Sequence, residues 1–427
     1  MNSSKSSTTR TVAASTVGTI FEWYDFVIFG LATVLVFNKL FFPNIDPALA
    51  LVVSMLAYAV GIVARPLGGL IYGAIGDRYG RRRMLVATML IMGASTFAIG
   101  LLPTYSTIGV WAPIMLIVLR IVQGIGIGGE WGGASVMIQE SAPDHQRGFY
   151  ASFIQTGLPA GMLMASGVFA ALTTVLTEAE FLSWGWRIPF LLSAVLVLIG
   201  TAIRYQIPET PVFLAMKNVS KSPIRDLFVK HPKTLLKGIG LKITESVWFF
   251  IVTGFIVGYA VTNFAIPRGD LLKIIMVSNA ISIVWALAMG YLSDQIGRRA
   301  IFFFGAAFTV VMPFPIFYLV STGDFYLIAV AMIAGQCIGS TTMFAVLSSY
   351  LPEIFPAEVR STGASLSFQI GAAITGGLVP VLAAWAVGVW GTNYAVSLLM
   401  MLFGLITFVT VLNTKETYQT SMTQLND

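Results

Sequence analysis

Six ionisable side chains, Glu22, Asp25, Arg65, Arg120, Glu130 and Glu245, lie inside stretches that are otherwise long and apolar. Charge in such a stretch is costly and marks an ion or substrate path by default. Four are acids and two are bases, so the interior would carry −2 if all were ionised. At least one carboxyl is therefore a candidate proton carrier, able to release its proton as an Arg approaches and take it back as the Arg leaves.

The positions suggest roles. Asp25 falls near the middle of its stretch, and Glu22 lies one turn earlier on the same face. Arg120 and Arg65 fall near the middle of theirs, so Asp25 can pair with either, as a proton site or as a fixed brace between helices. Asp25, Glu22 and Arg120 are the proton-coupling candidates. Glu130 lies ten residues past Arg120, about 15 Å further along a helix, and fits either a gate or a solvated helix end. Glu245 stands alone beside Trp248 and fits substrate contact or a wet position. Gln123, Gln155, Asn279, Gln336 and Gln369 can bond substrate or another helix. Tyr24, Tyr58 and Trp248 can line a cavity or pack. The substrate-binding candidates are Arg65, Arg120, Gln123, Tyr24, Gln155, Glu245, Trp248 and Gln369.

These residues sit in a chain of 427 residues that is 56% hydrophobic and only 10% charged, with mean hydropathy +0.83. That leaves too few charges for the surface of soluble domains. Apolar stretches near 15–37, 50–75, 84–102, 108–139, 148–176, 186–206, 239–264, 271–293, 300–320, 325–351, 359–388 and 391–412 are each long enough to cross a bilayer as a helix. None alternates as a barrel strand does, so twelve helices are expected. One cysteine, Cys337, excludes a disulfide and a Cys-based metal site. Both histidines, His145 and His231, lie in polar stretches. No metal or cofactor is expected, and an intramembrane enzyme lacks its nucleophile and base.

Four of the 25 Lys and Arg (Lys39, Arg187, Arg268, Lys273) fall on one side of this layout, Arg65 and Arg120 fall within it, and the rest, Lys217 and Lys242 among them, fall on the other. The rich side is read as cytoplasmic, which puts both termini inside. The net charge of +6 is then an affinity for lipid headgroups, not for nucleic acid. The first apolar stretch contains Glu22 and Asp25 and reads as a retained span, not a cleaved signal.

Two loops repeat. Gly73-Ala-Ile-Gly-Asp77-Arg78-Tyr-Gly80-Arg81-Arg82 recurs as Gly290-Tyr-Leu-Ser-Asp294-Gln-Ile-Gly297-Arg298-Arg299, 217 residues later. Glu140-x-x-Pro143-x-x-x-Arg147 recurs as Glu353-x-x-Pro356-x-x-x-Arg360, 213 residues later. Two homologous halves of six helices follow, 1–206 and 239–427, joined by a basic linker, 207–238, with substrate between them near the midplane. Gly73 and Gly80 permit close approach and a tight turn. Asp77 and Asp294 suit helix N-termini, and Arg81 and Arg298 suit carboxylates. With Glu130, Glu140, Arg147, Glu353 and Arg360 they are candidates for a conformational latch. The Gly124-Ile-Gly126-Ile-Gly128-Gly129 stretch contains G-x-G-x-x-G, but it lies in an apolar span and reads as helix packing.

The loop motif, the halves and the linker resemble the major facilitator superfamily. Glu22-Trp-Tyr-Asp25-Phe, Ala64-Arg65-Pro66-Leu-Gly68-Gly69, Arg120-Ile-Val-Gln123-Gly124, Gly129-Glu130-Trp131-Gly132-Gly133 and Trp184-Gly-Trp186-Arg187-Ile-Pro189-Phe190 resemble its metabolite:proton symporters of shikimate, dicarboxylates, citrate and proline/betaine. The resemblance implies an all-α integral membrane protein of two pseudo-symmetric six-helix bundles. It associates an Arg at the Arg120 position with proton transfer. It implies a transporter in a bacterial inner membrane, expected as a monomer, with a small-molecule substrate, protons and membrane lipid as partners. Two midplane Arg favour an organic acid; a zwitterion held by aromatics and an acid is the rival. Osmosensing members carry a C-terminal coiled coil, and the stretch after 412 shows no heptads, which counts against an osmosensor. An exporter would favour a Gly-Pro-rich fifth helix, which Gly157-Leu-Pro159-Ala-Gly161 resembles only in part. A sensor without transport is the remaining class.

Overall fold

A computed structural model describes residues 2–216 and 219–422; Lys217 lies outside them. The spans are α1 (Thr8–Leu40), α2 (Leu49–Tyr79), α3 (Arg81–Leu101), α4 (Trp111–Ser141), α5 (Asp144–Val175), α6 (Gly185–Tyr205), α7 (Pro232–Phe264), α8 (Arg268–Ile296), α9, α10 (Phe325–Glu353), α11 (Arg360–Trp390) and α12 (Tyr394–Leu412). Lipid offers no partner to a backbone N–H or C=O, so each span satisfies its own ladder. The ninth is bent: α9 is Arg298–Val311 followed by Pro313–Ser321 at 49°. Pro313 lacks the N–H that would continue the ladder and opens the second segment. Large side chains such as Val63, Leu198 and Val284 point outward, exposed to where acyl chains lie.

The halves repeat in detail. Thr33–Phe37 of α1 and Ile251–Ile256 of α7 are both π-helical, a local widening that often accompanies functional sites. A third such segment, Gly335–Thr341, interrupts α10.

Glycine sets how closely helices approach. A Cβ on Gly124 would strike the Gly61 carbonyl, and one on Gly128 would strike the Arg65 carbonyl and lie 2.7 Å from the Gly69 nitrogen. The G-x-G-x-x-G stretch therefore packs helices: Gly124 and Gly128 dock on α2, Gly126 meets Met92 of α3, and Gly129 meets both. Across the halves, a Cβ on Gly73 would lie 2.5 Å from Thr362 Cα in α11, and one on Gly290 would lie 2.5 Å from Ser152 Cβ in α5. The α2–α11 and α5–α8 contacts are thus pseudo-symmetric. Both draw the halves together on the face that carries the loop motifs and the linker, the linker face.

Replacing Gly128 by Val is expected to lower the melting temperature of the detergent-purified protein by several degrees or to abolish its accumulation in membranes. Gly167→Ala, with open space around its Cα, should leave both unchanged.

Candidate functional site

The loop motifs build two matching clasps. Gly80 and Gly297 hold φ of 107° and 103°, a region that disfavours any side chain. Each is followed at once by a helix whose free N–H groups need acceptors. Glu209 supplies them to Arg81 (3.0 Å) and Arg82 (3.2 Å), and Glu416 supplies them to Arg298 (3.0 Å) and Arg299 (2.9 Å). Asp77 reaches across to the N-terminus of α11, accepting from the Ser361 and Thr362 backbone N–H at 2.9 and 2.8 Å. Asp294 reaches back to the start of α5, accepting from the Gly148 and Phe149 N–H at 2.9 and 2.8 Å.

Buried ion pairs stack beneath. Arg81 bonds Asp77 (2.9 Å) and Glu140 (3.0 Å), and Glu140 also receives Arg360 from the other half (2.9 Å). In the mirror arrangement Arg298 bonds Asp294 (2.7 Å) and Glu353 (3.3 Å), and Glu353 lies 3.4 Å from Arg147 of the first half. Thr210 and Thr417 donate to Glu140 and Glu353. Every Asp, Glu and Arg predicted for the latch from the repeats is here. Glu209 and Glu416, each followed by Thr, were missed; they recur 207 residues apart and a search for a third repeat would have found them.

Glu130 is not in the clasp, nor at a solvated helix end. It is buried within the first half, where Arg204 of α6 grips both its oxygens and Thr88 donates at 2.7 Å. Glu245 is not alone: Lys242, one turn earlier on α7, is buried and bonds it. Arg204 and Lys242 were both placed with the surface cations because each lies near the end of its apolar stretch. With them the interior holds four acids and four bases, which corrects the expected −2 to neutrality.

What remains without a direct counter-charge is concentrated in α1, α2 and α4. Among the described residues neither Arg65 nor Arg120 lies within 4.0 Å of a carboxylate. The expected direct pairing of Asp25 with an Arg is therefore absent. A hydrogen-bonded chain takes its place. Arg120 Nη1 donates to Gln123 Oε1 (2.5 Å), Gln123 Nε2 to Thr96 Oγ1 (2.7 Å), and Thr96 Oγ1 to Asp25 Oδ2 (2.7 Å). Ser193 Oγ donates to Asp25 Oδ1 at 2.8 Å. Thr96 and Ser193 left no sequence signal, because hydroxyls are common in helices and no spacing singles them out.

The Arg120 guanidinium lies over Phe29 (4.2 Å), Tyr58 (5.0 Å) and Phe26 (5.4 Å), and Arg65 lies over the same Phe26 at 4.4 Å. Aromatic faces replace a counter-ion in part. Arg120 Nε, Arg65 Nη2 and Glu22 Oε2 are buried without any hydrogen bond. Buried polar atoms are almost always bonded, and here three charged groups that lie in α1, α2 and α4 each leave one unpaired.

Gln155 and Gln369 bridge the halves. Gln155 Nε2 donates to the Phe344 carbonyl at 2.8 Å, and Gln369 Nε2 to the Gly128 carbonyl at 3.1 Å. Beside them Trp131 stacks on Phe368 of the other half at 3.8 Å. Tyr24 and Trp248 are turned into their own bundles: Tyr24 donates to the Pro189 carbonyl (2.9 Å), Trp248 to Thr309 Oγ1 (2.8 Å). Both are packing residues in this state, a correction to their candidacy as cavity lining.

A family model for sugar (and other) transporters matches residues 10–227 and 269–425. The chain belongs to the major facilitator superfamily. It is 35% identical over 413 residues to the shikimate transporter of Escherichia coli (strain K12), covering 95% of this chain and 94% of that one. The inner membrane metabolite transport protein YhjE of the same strain is 37% identical over 426 residues, covering 97% and 95%. The proline/betaine transporter of that strain is 33% identical over 420 residues, covering 96% and 83%. Among solved structures, the proton:xylose symporter XylE bound to 6-bromo-6-deoxy-D-glucose superposes with a TM-score of 0.80 at 17% identity, over 99% of this chain and 98% of that one. An inward open conformation of XylE from E. coli gives 0.63 at 17% identity, over 97% and 98%. These likenesses show the fold. The chain is a multi-pass membrane protein whose relatives are transporters of small molecules, not enzymes.

Arg204→Ala leaves Glu130 buried and unpaired, and such a loss costs about 3–5 kcal/mol. A marked fall in thermal stability is expected, largely reversed by adding Glu130→Gln. If the double variant melts as low as the single one, the pair is not what Arg204 contributes.

Proposed function

We propose that the protein is a proton-coupled symporter that takes up a small organic acid by alternating access. The observation that carries this reading is the pair of buried guanidiniums, Arg65 and Arg120, sharing the Phe26 ring with N–H groups left unbonded. A carboxylate accepts from just such forks. The names of the shikimate and metabolite transport relatives support the substrate class.

Asp25 is the proton carrier. Both its oxygens rest on hydroxyls instead of cations, so protonation breaks no ion pair. The chain through Thr96 and Gln123 ties its charge state to the position of Arg120. An anion drawn to Arg120 pulls the guanidinium away from Gln123 and weakens its support of the Asp25 carboxylate. The proton then stays on Asp25 while the acid is bound, which makes the two loads travel together. Glu22, with one oxygen unbonded and Arg65, Glu130 and Arg204 acting on it, lies where a proton would pass toward Arg65.

The clasps set the cycle. Asp77 and Asp294 close the linker face by capping helices of the opposite half. Lys and Arg enrichment supports a cytoplasmic linker face, with both termini inside, in a bacterial inner membrane. This state is then shut toward the cytoplasm. Rocking the halves apart at that face breaks four backbone caps and the Arg147–Glu353 and Arg360–Glu140 pairs together, so the transition is all-or-none.

The second reading, uptake of a zwitterion, draws on the proline/betaine relative and on the aromatic faces around Phe26.

Proteoliposomes with an imposed pH gradient, acid outside, should accumulate one of a panel of labelled organic acids and betaines. Asp25→Asn should abolish uphill accumulation yet permit exchange down a substrate gradient. Uphill uptake undiminished in that variant removes Asp25 from coupling, and accumulation driven by the reversed gradient points to an exporter. Arg65→Ala should weaken uptake of an acid on the order of a hundredfold. A betaine as the sole substrate overturns the organic-acid assignment.

A further inference from the structure

The Lys242–Glu245 bond differs from the other ion pair buried inside a bundle, Glu130–Arg204. Both residues are on α7, three positions apart, so their bond ties no helix to another. Glu130 and Arg204 do the opposite: they join α4 to α6 through both carboxylate oxygens. Glu245 engages Lys242 and Ser246 Oγ through Oε1 alone. Burying an ion pair whose bond joins no two helices costs free energy which hydrophobic residues would not.

Its location is informative. Lys242 Nζ lies 4.1 Å from the Phe368 ring and 5.2 Å from Phe344. Phe368 is the residue that stacks on Trp131 of the first half, so the ammonium lies beside the seam between halves. Depth can be read along α11. Its Ser365 carbonyl faces Gly69 of α2, and its Gly371 rests on the Lys242 side chain. Arg65 lies four residues outward from Gly69, and Gly371 six residues outward from Ser365. At 1.5 Å per residue Arg65 and Lys242 are level to about 3 Å, and Arg65 acts electrostatically on Lys242. The other elements packed on this part of α7 contribute uncharged groups: Phe344 of α10, Phe368 of α11 and Thr407 of α12.

We propose that Lys242 is a second anchor for the substrate's anionic group, on the C-terminal half, and that Glu245 is its placeholder. This rests on the organic-acid reading. In the empty protein Glu245 neutralises Lys242. An arriving carboxylate replaces Glu245 Oε1 at Lys242 Nζ, and the freed Glu245 takes one proton from water. One ion pair is exchanged for another, and the added negative charge is matched by the added proton. An acid with two polar ends spans from Arg65 to Lys242, one on each half, which gives the halves a reason to close around it. Glu245 is thereby a second proton station, independent of Asp25.

The test uses the purified full-length protein and a panel of shikimate, succinate, citrate and acetate. Affinity is read from ligand-dependent thermal stabilisation across acid to neutral pH, and proton uptake from a pH indicator in weakly buffered solution. Glu245→Gln should bind the acid at least as tightly as the parent protein, take up one proton fewer per acid bound, and lose much of the pH dependence of binding. Lys242→Gln should weaken binding on the order of a hundredfold. The double variant Lys242→Gln/Glu245→Gln, which buries no charge, should fold and remain weak. Unchanged proton uptake in Glu245→Gln, or parental affinity in the double variant, overturns the placeholder while leaving the organic-acid reading in place. Failure of the parent protein to bind any acid of the panel overturns both.

Discussion

A charge held in oil must find a partner within a few ångströms or give up its proton, and this constraint organises the molecule. Glu130 and Arg204 satisfy it permanently, through both carboxylate oxygens and a threonine. The clasp carboxylates satisfy it in part within their own half, through Arg81 and Arg298, and fully only while the halves touch, because their remaining donors come from the opposite bundle. Asp25, Arg65, Arg120 and Glu22 satisfy it least, with aromatic faces and hydroxyls in place of counter-ions. The three degrees of satisfaction match the three tasks proposed for these groups: holding a bundle, gating, and carrying a load.

The clasp shows why a duplicated fold suits gating. Helix 11 starts at the Asp77 carboxylate and helix 5 at the Asp294 carboxylate, so each half completes the exposed N-terminus of a helix in the other. Parting the halves leaves both helix ends uncapped at once, and leaves each aspartate only the arginine of its own half. Both clasps join the same two halves, so a rocking of one half against the other at this face strains both. The glycines at 73 and 290 make the arrangement possible by letting backbone approach within the space a methyl group would fill.

Much of this was legible in the sequence because it is periodic or repeated. Twelve apolar stretches specify helices, and the offsets of 217 and 213 specify two halves and point to the clasp residues by type. The bend of the ninth span at Pro313 escaped the apolar pattern, since composition registers the length of a run and not its angle. Inside the bundles legibility failed for a different reason. Arg204 and Lys242 lie near the ends of apolar stretches, where long basic side chains ordinarily reach out to headgroups. Arg204 turns inward because Glu130 faces it from another helix, a contact no linear reading contains, whereas Lys242 and Glu245 are three apart on one helix, a spacing the sequence did offer. Thr96 and Ser193 were invisible because a relay hydroxyl has the same sequence context as one bonded back to its own helix.

The symmetry that governs the gate stops at the load. At the linker face each charged residue of one clasp has a counterpart in the other: Asp77 and Asp294, Arg81 and Arg298, Glu140 and Glu353, Arg147 and Arg360, Glu209 and Glu416. At mid-depth the correspondence fails: the first half carries Asp25, Arg65 and Arg120 with no equivalents in the second, and the second carries Lys242 with Glu245 on a single helix. In a medium of low dielectric, like charges facing each other across the seam repel strongly, and in this state Glu245 neutralises Lys242 where it faces the half that carries Arg65. The rim can keep its repeat because each of its charges meets an opposite one at once.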